Sequence, residues 1–176
     1  MKIIMELLRD FKNIDKNGVS LAGGKGASLG EMIRAGISVP NGFVILVNAF
    51  EKFLEETDMN VEIDSVLDSV KHKEIHTIEN ASGKIRTLIL QAEIPQDIAT
   101  EIQKFFKNLN SKYVAVRSSA TAEDSANAAW AGQLESYLNT TEENLLENVK
   151  KCWASLFTPR AIFYRFEKDL HKHKIS

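Results

Sequence analysis

The chain has 176 residues, 44% apolar and 26% charged, with a formal net charge of −2, the balance of one globular domain long enough for a real core. Slight acidity without a basic stripe argues against a nucleic-acid binder, and no apolar run approaches the ~20 residues needed to cross a bilayer. A single cysteine excludes an internal disulfide, and Met1-Lys2-Ile3-Ile4 lacks a signal-peptide pattern, so the expected location is cytoplasmic.

In chain order, Asn13–Ser20 is polar and reads as irregular. Leu21–Gly30 then sets Gly23, Gly24 and Gly26 around Lys25, ahead of a helical pattern in which Leu29, Met32 and Ile33 share one face. A glycine-rich approach to a helix start leaves backbone N–H groups free at the positive end of the dipole, and Lys25 adds a mobile ammonium. That suits a phosphate; the same glycines also suit a plain tight turn. A P-loop would need Ser or Thr after Lys25, where Gly26 stands, and Gly30 falls one residue late for a dinucleotide fingerprint.

Val39-Pro40-Asn41-Gly42 reads as a turn before a short strand over Gly42–Leu46, and Asn48-Ala49-Phe50 opens a helix with Phe50, Phe53 and Leu54 in helical period. Residues 59–82 are the most charged and least patterned, and read as variable loop and helix. His72 and His76 have metal-ligand spacing, but Lys71, Lys73 and Glu74 around them favour an exposed helix. Pro95 fits the first position of a helix carrying Ile98, Ile102, Phe105 and Phe106. Tyr113–Val116 reads as a buried strand that stops on Arg117 and runs into Ser118, Ser119, Ala120, Thr121 and Ala122. A guanidinium at a strand end beside hydroxyls and free amides fits an anion. The alternative is an arginine paired with Glu123 or Asp124, which are also the obvious carboxylates for Mg²⁺. Thr140 and Glu143 form a capping-box pattern before Leu145, Val149, Cys152, Trp153 and Leu156, with Cys152 read as core. Thr158-Pro159 then caps a last helix with Ile162, Phe163 and Phe166 inward. His171 and His173, among Lys168, Lys172 and Lys174, read as a solvated tail. The class is α+β and helix-rich.

Four blocks, L-A-G-G-K-G-A-S-L-G-E-M, G-I-S-V-P-N-G-F-V, A-V-R-S-S-A-T-A-E-D and A-G-Q-L-E-S-Y-L-N, with C-W-A-S-L-F-T-P-R-A after them, resemble the N-terminal nucleotide-binding domain of the pyruvate phosphate dikinase and phosphoenolpyruvate synthase family, which rifampicin phosphotransferases share. The resemblance implies the N-terminal part of an ATP-grasp-like domain that binds ATP between two lobes. It further implies transfer of the ATP β-phosphoryl group to a histidine on another domain, leaving AMP and phosphate, and delivery to pyruvate or, in the phosphotransferases, an antibiotic. Lys25 and Arg117 correspond to the family's cationic phosphate ligands, Arg117 being the catalytic candidate. Gly132, Gln133 and Ser136 fall in its nucleotide-contacting loop; Ser136 keeps a hydroxyl there, whereas Leu134 loses an amide. The family's Mg²⁺ ligands are expected in the second lobe, so Glu123 and Asp124 are read as loop residues and no metal ligand is assigned. Full members are several times longer, and none of the four histidines has the context of the phosphorylated one. Residues 1–176 are therefore expected to be the N-terminal portion of a longer enzyme and inactive alone. The rival from another class is a non-catalytic nucleotide-binding module.

Overall fold

The computed structural model describes residues 5–71, 73–119 and 135–167. Strand β1, Leu8–Asp10, leads through 3-10 turns at Phe11–Asn13 and Lys16–Gly18 into α1, Val19–Arg34. Strand β2, Phe43–Ile45, is followed by α2, Val47–Glu56, α3, Met59–Asp68, α4, Ile75–Gln91, and α5, Gln96–Asn108. Strands β3, Val114–Arg117, and β4, Ser136–Thr140, come next, then a 3-10 turn at Glu142–Asn144, α6, Leu145–Ser155, and α7, Pro159–Glu167. β1 pairs antiparallel with β2, and β3 with β4, as two separate two-stranded sheets. The domain is helix-rich α+β, as its periodicities indicate.

Apolar spacing explains the main body. Phe50, Phe53 and Leu54 of α2, Ile98, Ile102 and Phe106 of α5, and Leu145, Val149 and Trp153 of α6 are all buried in one cluster. Its aromatic centre is tight, with the Phe53 and Trp153 ring centroids 4.9 Å apart and Phe50 5.4 Å from Trp153. A smaller cluster lies beneath α1 and comprises Ile14, Ala22, Ala27, Val44 and Leu46. Strand β2 separates the two. Successive side chains on a strand point to opposite faces, so Val44 enters the small cluster while Phe43 and Ile45 pack on the large one.

Several expectations change. The segment read as irregular, Asn13–Ser20, holds the end of one 3-10 turn and the whole of a second, with α1 already under way at Val19. Met32 is exposed, whereas Leu29 and Ile33 are half-buried. Residues 59–82 are mostly helical, and α4 begins at Ile75 with His76 exposed beside Glu74; His72 lies outside the described residues. Pro95 is the N-cap of α5, one position before the expected one, with an extended backbone at φ −49° and ψ 139°. The strand expected to be buried is β3, which begins at Val114; Val114 and Val116 are half-buried, Ala115 is exposed, and Tyr113 lies exposed before the strand.

The expected Thr140–Glu143 box does not form. Thr140 ends β4, and its hydroxyl is engaged there, accepting from Asn148 Nδ2 at 2.9 Å and donating to the Tyr137 carbonyl. Thr141 takes the cap position instead, its N–H donating to Asn144 Oδ1 at 2.8 Å. Thr158 does cap α7, accepting from the Ala161 N–H. On α7 Ile162 is buried and Phe166 half-buried, but Phe163, about 100° further round the helix, is exposed.

Candidate functional site

Local backbone geometry sets the first cation. α1 is kinked at Gly23, where φ is 66° and ψ 170°, a left-handed backbone that only glycine adopts cheaply. A new helical segment starts beyond the kink and carries Lys25 on its first turn. Here the glycines act mainly as contact surfaces. A Cβ on Gly26 would sit 2.9 Å from Val44 Cγ2, and one on Gly30 2.3 Å from the Ile14 carbonyl oxygen. Absence of side chains lets α1 lie directly on β2 and the chain before it.

The second cation comes from the end of β3. Arg117 stands opposite Ser136 in the β3–β4 register, so two residues singled out in the sequence become cross-strand neighbours. The Ser118 N–H extends the pairing by one bond, donating to the Glu135 carbonyl at 3.3 Å. Both Arg117 and Ser136 are exposed, whereas Lys25 is half-buried. Gly132 and Gln133 lie outside the described residues, as do Glu123 and Asp124.

Lys25 and Arg117 line the same cavity of about 680 Å³, a volume within the usual range for small-molecule sites. Ser118 and Ser119 add hydroxyls on its wall, while Phe43, Val149 and Trp153 supply an apolar side. Two cationic side chains and an apolar, partly aromatic surface in one lining suit an amphipathic anion, such as a polyphosphate joined to a planar ring system.

Cys152 also reaches this wall. Burial, with a smaller contribution from the Glu135 charge, pushes its thiol up to about 12, so it stays a neutral, unreactive thiol and a packing group. Among the described residues no cluster of three or more His, Cys, Asp or Glu is placed to hold a metal ion, and none of them is assigned to Mg²⁺. No described helix is long and apolar enough to cross a membrane.

Sequence reasoning missed the apolar wall supplied by α6 and the part played by Ser119. The Ser119 hydroxyl accepts from the Gly26 N–H at 3.2 Å and donates to the Ala22 carbonyl at 2.9 Å. A serine in a run of small residues gives no sign of a partner so distant along the chain. The steric demand at Gly23 is the one trace it leaves.

Residues 19–176 match the family of the pyruvate phosphate dikinase AMP/ATP-binding domain. Over 170 residues the chain is 42% identical to a probable phosphoenolpyruvate synthase of Staphylothermus marinus, covering 92% of this chain and 20% of that protein. It is 45% identical over 170 residues to one of Archaeoglobus fulgidus, covering 93% and 23%. A rifampicin phosphotransferase of Bacillus cereus is 38% identical over 170 residues, covering 95% and 20%. The chain thus spans 20–23% of the length of these relatives. With the motifs, their order and nearly the whole length in agreement, the chain belongs to the pyruvate phosphate dikinase AMP/ATP-binding domain family.

Proposed function

We propose that this chain is the ATP-binding part of a phosphoenolpyruvate synthase-like phosphotransferase, with the ATP polyphosphate held between Lys25 and Arg117. The supporting observation is that both cations line one cavity whose lining also includes apolar and aromatic residues. Arg117 offers a planar fork suited to bidentate phosphate contact, and Lys25 a point charge on a flexible stem. Ser136, directly across from Arg117, places a hydroxyl for a further phosphate or ribose contact, and Gly132 and Gln133 complete the loop in this assignment. The purine would lie against the apolar side near Phe43 and Trp153.

In the full reaction the β-phosphoryl group of ATP passes to a histidine on another domain, while water takes the γ-phosphoryl group to give orthophosphate and AMP is left behind. Pyruvate is the acceptor that receives the phosphoryl group from that histidine. An ATP-grasp-like second lobe, the phosphohistidine and the acceptor site belong to other segments of the protein, and residues 1–176 contribute the nucleotide half. Mg²⁺ accompanying ATP would neutralise phosphate charge. This chain's own residues bind and orient the polyphosphate, which is most of what phosphoryl transfer asks of a protein. The setting is cytoplasmic. A rifampicin-type phosphotransferase is the second assignment, favoured by the 38% identity to that relative; it shares the nucleotide half and differs in acceptor.

Calorimetric titration with ATP tests the assignment. Lys25→Ala and Arg117→Ala should each weaken binding about tenfold or more, Arg117→Ala the more, because charge-assisted contacts are worth about 1.5–3 kcal/mol. Unchanged affinity in both variants would remove the pair from the site.

A further inference from the structure

Lys25 and Arg117 sit on segments far apart in sequence, and neither α1 nor β3 alone fixes the distance between them. One side chain spans that gap. Ser119 lies two residues beyond Arg117, and its hydroxyl donates to the carbonyl of Ala22 at 2.9 Å and accepts from the N–H of Gly26 at 3.2 Å. These two backbone groups flank Lys25 on either side along α1 and bracket the Gly23 kink. The approach is as close as backbone permits, since a Cβ on Gly23 would lie 2.1 Å from the Ser119 carbonyl oxygen and 2.5 Å from its hydroxyl.

We infer that Ser119 is a positioning residue: its hydroxyl staples the kinked start of α1 to the end of β3, and so sets Lys25 and Arg117 at the spacing a polyphosphate needs. Three observations converge. The hydroxyl is satisfied in both directions by main chain, so its orientation is fixed at donor and acceptor alike. Its partners are groups that a regular helix would use internally; the kink at Gly23 makes them available at this point. Ser119 is half-buried on the wall of the shared cavity, where it would border a bound anion without supplying a charge. The cation pair is thereby pre-organised before nucleotide arrives, which cuts the ordering cost of binding.

The inference rests on the nucleotide assignment above, and two measurements separate them. In the ligand-free chain, Ser119→Ala should speed amide exchange of Gly26 about tenfold or more while exchange in α4 and α5 stays unchanged; an unaltered Gly26 amide would overturn the staple whatever the protein binds. In ATP titrations, Ser119→Ala should lower affinity about tenfold, and Ser119→Thr, which keeps the hydroxyl, should hold it within about threefold of the original. In a Lys25→Ala background the further loss from Ser119→Ala should shrink to about twofold, because a residue acting through Lys25 has less left to position. Equal losses in both backgrounds, or a loss that threonine does not restore, would reduce Ser119 to a packing residue and overturn the inference. Loss of binding in Lys25→Ala with full affinity in Ser119→Ala would overturn it while leaving the nucleotide assignment standing. If neither Lys25→Ala nor Arg117→Ala alters ATP affinity, the nucleotide assignment falls and the positioning role falls with it.

Discussion

The two sides of β2 are held together by different means. On one side Phe50, Phe53 and Trp153 fill space with aromatic volume, and helices α2, α5 and α6 are spaced by their side chains. On the other, α1 meets β2 and Ser119 through glycines, and among the described residues the buried cluster beneath it is aliphatic, with the half-buried Phe11 packed against it. The first arrangement tolerates small adjustments, since neighbouring side chains can shift. The second brings glycine backbone against the main chain of Ser119 and Ile14 and against the Val44 side chain, where an added methyl has nowhere to go. Lys25 and Arg117 both line the cavity beside this second kind of contact, so the side of the molecule that carries Lys25 depends on glycine and the other on bulk.

The contrast can be broken most forcefully at Phe53. It is fully buried, and Phe53→Ala should cost about 3–5 kcal/mol of stability by urea unfolding. A loss below about 1 kcal/mol would mean that the aromatic cluster is not what spaces the helices.

Next in size comes a pair of glycines that share a left-handed backbone and differ in surroundings. Gly23 and Gly36 have φ of 66° and 75°, but only Gly23 faces a neighbour, since nothing lies within 4 Å of a Cβ on Gly36. Gly36→Ala should lose about 1 kcal/mol, the backbone cost alone, and Gly23→Ala about 2–4 kcal/mol once overpacking is added. Equal shifts in thermal unfolding would contradict the close-contact account of α1.

The smallest effect belongs to the surface pair that crosses the helical side, Lys52 of α2 with Asp97 of α5. The hydrogen bond from Lys52 holds the Asp97 carboxyl below its ordinary value, against a smaller opposing effect of burial. Its contribution is therefore present above the ordinary carboxylate value and is lost as pH falls through the depressed one. Solvent screens an exposed pair, so Asp97→Asn should cost less than about 1 kcal/mol near neutrality and nothing at strongly acidic pH. A larger loss in denaturant titrations would show that charge, and not only bulk, holds that side.

The same contrast decides what could be read from the sequence. Side-chain packing leaves a periodic trace, so Phe50, Phe53 and Leu54, or Ile98 and Ile102, announced their helices and their buried faces. Backbone packing leaves only glycines, which fit a tight turn, a helix start or a close approach equally well; the kink at Gly23 inside α1 had no separate signal. Thr140 and Thr141 are chemically alike, and only the end of β4 determines which hydroxyl is taken by the sheet and which residue caps the next turn. Phe163 shows the limit of helical spacing, because one position round α7 turns an expected core residue to solvent. Lys25, Arg117 and Ser136 were legible as residues of a family motif. The convergence of Lys25 and Arg117 on one cavity was not, since it depends on how α1 and β3 meet.

The most direct measurement is a backbone NMR titration of the chain with ATP. The account predicts shift changes concentrated at Lys25, Gly26, Arg117, Ser118 and Ser136, with α3 and α4 unaffected. Shifts that gather on α3 and α4, or that avoid either the Lys25 or the Arg117 segment, would contradict a shared polyphosphate site.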